Sequence, residues 1–231
     1  MPGSFQGLPK DFFIFFKELS QNNDKAWFEA NKDRYKAAVV GPLQDLILAM
    51  QPRLAKISKH IKADPRPVGG SLFRIYRDTR FSKDKRPYKE NAGVHFRHER
   101  GKDAHVPGYY VHLAPGEVFY GGGIWMPDPE ALGKLRGAIA DKPSAWKKVI
   151  EDKSLAAAFE GIEGESLARP PKGFEADHPY IEDIKRKSFF AMKKGSETLT
   201  RSAGFLDELE ETFRAASPLM RFLCNALDAP F

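Results

Sequence analysis

The chain has 231 residues, of which 42% are hydrophobic, 29% charged and 12% aromatic. This composition is that of a globular protein and excludes an intrinsically disordered chain. The length suits one large domain or at most two small ones. A single cysteine, Cys224, excludes an internal disulfide framework and fits a reducing compartment. Since no apolar run approaches the roughly 20 residues of a membrane span and no signal-peptide pattern is present, we expect a cytoplasmic protein without a membrane partner.

The positive charge is concentrated in two segments. Phe73–Glu90 carries seven basic and three acidic side chains, and Lys185–Lys194 carries five basic and no acidic ones. Because the net charge of the whole chain is +6, these segments at +4 and +5 leave −3 for all other residues. Patches of one sign attract anions, although a solvated charged face is the commoner meaning of such a run.

Apolar residues at helical spacing predict an N-terminal helical part over 8–58. Its helices are expected over Pro9–Leu19, about 25–39 and about 43–57. Pro52 should kink or split the last of these, because proline lacks the N–H that a helix interior needs.

Alternating patterns predict a sheet over 70–125. The hairpin is the clearest signal, because Ala114-Pro115-Gly116-Glu117 suits a type II turn. Its register gives the sheet a core face, with Tyr109, Val111, Leu113, Val118 and Tyr120, and a second face with Tyr110, His112, Phe119 and Gly121. The sheet is expected to be antiparallel with at least four strands, at about 72–77, 93–99, 108–114 and 117–124.

The remaining residues predict C-terminal helices over 128–228. A helix start is strongest at Asp128-Pro129-Glu130, which offers an N-cap, a proline at the first position and an acid in the first turn. A short strand is expected at Ser188–Met192. The whole chain, 1–231, is therefore predicted to be a single α+β domain in which N-terminal and C-terminal helices cover a central antiparallel sheet.

The best candidate site is the charged loop that follows the strand predicted at 72–77. Arg74, Arg77 and Arg80 recur at every third residue, and arginine forks match the paired oxygens of carboxylates and phosphates. Asp78 and Asp84 offer partners within the loop. Two interpretations therefore stay open: a site for a small anionic ligand, and an ion-pair network that acts as a structural clasp.

Further residues complete the predicted ligand site, and a third interpretation uses the same surface. The predicted ligand-binding residues are Arg74, Arg77, Arg80, Lys85, Tyr88, Tyr110 and Lys187. Alternatively the basic segments bind nucleic acid while Phe81 and Tyr88 stack on bases. Phe81 and Tyr88 are also well placed to anchor the loop on the body of the domain.

Catalytic residues are not identified by any motif, since the chain has no G-x-S-x-G, P-loop or dinucleotide fingerprint. Asp78, His95 and His112 are the candidates for acid–base chemistry, and histidine has the intrinsic pKa for it. A hydrogen-bonded structural histidine is the more common case. No pattern of three converging metal ligands occurs, so we expect no metal and no cofactor. Both an enzyme and a binding protein remain open.

Three blocks of the sequence resemble one family. Arg74–Lys89 fits the pattern R-x-x-R-D-x-R-F-S-x-D-K-x-P-Y-K, and further blocks fall at Gly108–Gly123 and Pro171–Phe189. Together they resemble the bacterial and fungal family catalogued as domain of unknown function 2461, from about Leu8 to Phe213. The resemblance implies an α+β fold and marks candidate positions, but it implies no catalytic residue.

Overall fold

The structure, a computed structural model, describes residues 5–101 and 105–231. Its N-terminal part is helical, as predicted. The helices are α1 (Lys10–Gln21), α2 (Lys25–Ala30), α3 (Lys32–Tyr35) and α4 (Gly41–Ala55), with a π-helical turn at Lys36–Val40 between α3 and α4.

The predicted boundaries of these helices hold at some positions and not at others. The helix expected over Pro9–Leu19 is α1, and its phenylalanines are buried as the apolar pattern requires. The helix expected over 25–39 is divided at Asn31, whose side-chain amide donates to the carbonyl oxygen of Trp27 at 3.0 Å. Pro52 does not split α4, which continues to Ala55, because the proline lies close to the end of the helix.

Four strands form one antiparallel sheet in the order β1-β2-β3-β4. They are β1 (Ala92–Arg97), β2 (Gly108–Ala114), β3 (Glu117–Ile124) and β4 (Phe189–Lys194). The predicted hairpin is confirmed, since Ala114 pairs with Glu117 and Val111 with Tyr120. The short strand expected at Ser188–Met192 is β4, and it closes the sheet beside β3.

The strand predicted at 72–77 is wrong. The segment makes only two isolated bridges, one between Leu72 and Val94 of β1 and one between Tyr76 and Tyr88. It begins beside β1 and then leaves it to pair with its own returning chain. Neither pairing lasts long enough to make a ladder, although the alternation of side chains that predicts a strand is present.

The sheet has one core face and one open face, as its sequence pattern predicts. Tyr109 and Val111 on the core face are fully buried. They pack toward α10 (Phe205–Ala215) and α11 (Ser217–Ala226), and the ring of Phe213 stacks on Tyr109 with their centroids 4.5 Å apart. The opposite face carries Tyr110, His112 and Phe119 in a different environment, described below.

The remaining helices of the C-terminal part are short. They are α5 (Pro129–Asp141), α6 (Pro143–Ile150), α7 (Lys153–Ala158), α8 (Ile181–Ile184) and α9 (Glu197–Thr200). Buried side chains of helices and sheet form one hydrophobic cluster, so the fold is a single α+β domain. Within the residues described, no helix is both long and apolar enough to cross a membrane.

Phe213→Ala should lower the free energy of unfolding by about 3–5 kcal/mol, because it empties a fully buried position against Tyr109 and Phe96. Urea denaturation followed by circular dichroism measures this change. Phe81→Ala is the matched control: Phe81 is 95% exposed, and its removal should change the free energy by less than about 0.5 kcal/mol. Equal effects of the two substitutions would contradict the placement of the core.

Candidate functional site

A cavity of about 730 Å³ lies on the face of the sheet opposite α10 and α11. Tyr110 and Phe119 rise into it from β2 and β3, and Phe73 closes it on the side of β1. Its further large apolar side chains are Ile124, Trp125, Phe159, Phe190 and Met192. A concave site with aromatic walls is the usual form of a small-molecule pocket.

Glycines leave the floor of this cavity free of side chains. The register places Gly121 opposite Tyr110, and Gly123 opposite Gly108. A Cβ atom at Gly121 would clash with the backbone of Ala191 in β4, and one at Gly123 would clash with the backbone of Phe189. The glycines are therefore required for the close approach of β4, and the open floor is a consequence of that packing.

Tyr110 and His112 form a polar pair in the second face of the sheet. The Tyr110 hydroxyl lies 3.2 Å from Nδ1 of His112, and the Asn91 amide lies 3.5 Å from the same nitrogen. The imidazole stacks on Phe119 with centroids 4.4 Å apart. Burial lowers the pKa of His112 below its ordinary value, and the carboxylate of Glu117 opposes that shift. Burial also raises the pKa of Tyr110 to about 12, so the phenol keeps its proton at neutral pH.

The two candidate histidines do not face one another. His95 is opposite Tyr110 in the register and His112 is opposite Gly93. They are therefore diagonal neighbours, with side chains about 7–8 Å apart. His95 lines the cavity, whereas His112 reaches it through the Tyr110 hydroxyl.

Charged side chains at the rim of the cavity are separated by sign. Glu163 bridges to Phe190 at one end of β4, and Lys194 stands at the other end, about 13 Å away at 3.3 Å per residue. Glu160 also lies at the rim. Within residues 5–101 and 105–231, Lys194 and these two acids make no ion pair.

The charged loop is a closed structure whose ends meet. The Arg77 N–H donates to the Pro87 carbonyl at 2.9 Å, and the Lys89 N–H donates to the Ile75 carbonyl at 2.7 Å. Tyr88 is buried, and its ring stacks on Phe28 with centroids 4.1 Å apart. The loop is thus anchored to α2 by Tyr88, which does not line the cavity.

Most arginines of the charged loop form ion pairs. Arg77 contacts Asp84 at 2.8 Å, and Arg86 contacts the same carboxylate at 2.7 Å. Arg80 pairs with Asp78 at 2.7 Å, two residues away. The Arg77–Asp84 pair crosses the loop, and Arg77 also donates to the Arg86 carbonyl at 3.1 Å. This arrangement favours the clasp interpretation for Arg77, Arg80 and their partners.

Asp78 is poorly suited to accept a proton in this arrangement. The Arg80 side chain and its backbone N–H hold the pKa of Asp78 at about 2. A carboxylate with so low a pKa is a weak base at neutral pH. The pKa of Asp84 is also lowered, first by the Arg86 side chain and then by its backbone N–H and by Arg77.

The other predicted cations lie apart from the cavity or have partners. The Lys85 amine donates to the Thr79 carbonyl at 2.9 Å. Lys187 pairs with Glu165 at 3.1 Å, and in the same cluster Lys193 pairs with Glu208 at 2.7 Å. The second basic segment lies at the β4 edge of the sheet and the charged loop at the β1 edge, so the two segments do not form one continuous patch.

Arg74 and Lys89 differ from Arg77, Arg80 and Arg86, the arginines of the loop that pair with acidic side chains. Neither forms an ion pair with any residue that the structure describes. Lys89 is partly buried, and its Nζ lies 5.4 Å from the ring centroid of Phe73, a wall of the cavity. Burial lowers the pKa of Lys89, and the nearby Arg74 guanidinium lowers it further. Two neighbouring cations without a carboxylate thus stand beside the aromatic cavity.

Comparison with known proteins places the chain in a family. A family model described as "Conserved hypothetical protein (DUF2461)" matches residues 11–222. The chain belongs to the DUF2461 family. The resemblance of its three sequence blocks is thereby confirmed, and the match covers the cavity, the charged loop and the sheet. Comparisons with curated proteins and with solved structures find no match.

The residues predicted from sequence and the residues around the cavity overlap in part. Of the predicted ligand-binding residues, Tyr110 lines the cavity, and Arg74 lies near enough to Lys89 to lower its pKa. Phe73, Lys89 and Lys194 are not among the predicted ligand-binding residues. Nothing in the sequence distinguishes Lys89 from the other lysines, because only the fold shows which amines have carboxylate partners.

Nucleic-acid binding stays a prediction. Of its two expected stacking side chains, Tyr88 is buried against Phe28 and Phe81 is almost fully exposed.

A metal site requires several converging ligands. Residues 5–101 and 105–231 contain no group of three or more His, Cys, Asp and Glu side chains that could hold an ion.

Arg77→Ala should open the charged loop, because Arg77 alone joins Asp84 and the Arg86 carbonyl across it. We expect hydrogen exchange of the Lys89 amide, which bonds to Ile75, to become several-fold faster. Arg80→Ala is the matched control, since Arg80 reaches only Asp78 two residues away. Unchanged exchange at Lys89 in Arg77→Ala would contradict the clasp.

Proposed function

We propose that this protein binds a small organic anion, whose carboxylate or phosphate lies on Arg74 and Lys89 and whose apolar body lies in the cavity beside Phe73 and Tyr110. The observation that carries the proposal is the pair of uncompensated cations beside an aromatic-walled cavity. The other arginines of the loop, Arg77, Arg80 and Arg86, are balanced by aspartates.

The energetics of Lys89 favour an anion at this position. A cation that loses water without gaining a carboxylate is costly, and the lowered pKa of Lys89 expresses that cost. An anion bound between Lys89 and Arg74 would restore the missing partner for both. Arginine adds the two parallel donors that carboxylates and phosphates accept.

Lys194 is the rival anchor, and its surroundings make it the weaker one. It stands across the sheet, three strand spacings or about 14 Å from Gly93, on which Phe73 and Tyr110 pack. Lys194 is exposed, as is Arg74, but the rim along its strand also carries Glu163 and Glu160, which repel anions. Arg74 and Lys89 have no acid among the groups that shift the pKa of Lys89.

The apolar body of the ligand should be flat and aromatic or of similar size. Its neighbours would be the rings of Phe73, Tyr110 and Phe119 over the glycine floor. Offset and edge-to-face contacts between rings contribute about 0.5–1.5 kcal/mol each beyond the buried area. The Tyr110 hydroxyl, protonated at neutral pH, is a donor for a polar group on that body.

Isothermal titration calorimetry with benzoate and phenyl phosphate tests this proposal, with neutral benzyl alcohol as the comparison ligand. Arg74→Ala should weaken binding of the anions about 10- to 100-fold, since a hydrogen bond to a charged group contributes about 1.5–3 kcal/mol. Lys194→Ala and Arg80→Ala are the matched controls and should change affinity by less than about twofold. An equal loss of affinity in Lys194→Ala would show that the anion binds at the β4 edge of the sheet. Absence of binding to the wild-type protein would reject the proposal.

The same titration repeated at increasing pH tests whether Lys89 contributes to the affinity for the anion. Protonated Lys89 attracts the anion and neutral Lys89 does not, so affinity should fall as pH rises through the pKa of Lys89. Because that pKa is lowered from 10.5, the fall begins at a lower pH than for an exposed lysine. Lys89→Arg should remove it, since a guanidinium stays charged throughout. An identical pH profile in the two proteins would exclude Lys89 from the anion site.

A further inference from the structure

The geometry around Lys89 points to a covalent role: we propose that its amine forms a Schiff base with a carbonyl group of the bound anion. This deepens the proposed function and rests on it for the choice of ligand. The chemical class that follows is an aldehyde or ketone that also carries a carboxylate or phosphate, such as a 2-oxo acid.

Lys89 is held at its position by its backbone and by its neighbour. Its N–H donates to the Ile75 carbonyl at 2.7 Å. The preceding residue, Tyr88, is fixed through its own N–H, which donates to the Asn23 side chain at 3.1 Å, and through the stack on Phe28. A nucleophile on such a fixed stretch of chain meets a bound carbonyl with little loss of entropy.

The amine of Lys89 lacks the carboxylate contact that several other lysines have. Lys32, Lys62 and Lys185 each lie within 3.1 Å of a glutamate oxygen. Lys89 instead lies against the ring of Phe73, and the cation of Arg74 lowers its pKa further. Desolvation and a neighbouring cation are the two features that make a lysine nucleophilic near neutral pH.

Arg74 is the second component of the site. Its guanidinium would hold the carboxylate or phosphate, so the adjacent carbonyl carbon comes to the Lys89 amine. The ligand also has room for an apolar substituent, because Phe73 joins Lys89 to the cavity.

The chemistry of the step balances without a further reactant. The Lys89 nitrogen forms a bond to the carbonyl carbon, and the resulting carbinolamine loses its oxygen as water. The two hydrogens of that water are those of the neutral amine, and the product is an imine. Nothing is oxidised or reduced, and water reverses the reaction.

Reductive trapping with the full-length protein tests the proposal. Glyoxylate and sodium cyanoborohydride are added at neutral pH for a short time, and peptide mass spectrometry measures the adduct at each lysine. We expect Lys89 to react several-fold faster than Lys83 and Lys85 of the same loop, because a lowered pKa leaves a larger share of its amine neutral. Arg74→Ala should slow labelling at Lys89 and leave Lys83 unchanged.

Lys89→Arg is the matched variant, because it keeps the charge and cannot form an imine. It should show no residue labelled faster than Lys83. Labelling of wild-type Lys89 no faster than Lys83 would overturn the covalent role even if benzoate binds as proposed. Rapid labelling of Lys89 without any benzoate binding would instead support the nucleophile and reject the proposed anion site.

Discussion

The candidate site depends on a change of hydrogen-bond partner within one short segment. At its start, the segment is bonded to β1, since the Phe73 N–H donates to the Gly93 carbonyl at 2.9 Å. Two residues later it is bonded to its own returning chain, where the Lys89 N–H donates to Ile75 at 2.7 Å. This change sends the chain out as a charged loop and brings it back with Lys89 beside Arg74 and Phe73. Without it, the two cations would not meet at the edge of the cavity.

Charge compensation divides the basic residues by role. Arg77 and Arg80 are neutralised by aspartates of the same loop, and the low pKa of those aspartates shows how firmly they stay ionised. Arg74 and Lys89 stand outside this network, and the Lys89 amine lies against Phe73, a wall of the cavity. The clasp and the anion site are therefore compatible, because they use different residues of one loop. The clasp holds the shape that keeps Arg74 and Lys89 together.

The hairpin and both faces of the sheet could be predicted from sequence because their signals are local. The Pro115-Gly116 turn fixes the register of β2 and β3, and alternation then assigns Tyr109 to the core and Tyr110 to the open face. The strand at 72–77 was wrong for the same reason: its alternation is local, whereas the change of partner after Phe73 depends on where β1 and Lys89 lie in space. Likewise, Arg74 and Arg77 have the same residue type, and only tertiary structure shows that one is paired.

The central claim is that an organic anion bridges Arg74, Lys89 and the cavity, and a crystal structure with 4-bromobenzoate tests it most directly. The bromine gives an anomalous signal that locates the ring independently of the carboxylate. The account predicts a carboxylate within ion-pair distance of Arg74 and Lys89, and a bromine peak between Phe73 and Tyr110. A carboxylate bound to Lys194, or bromine peaks confined to positions outside the cavity, would contradict it.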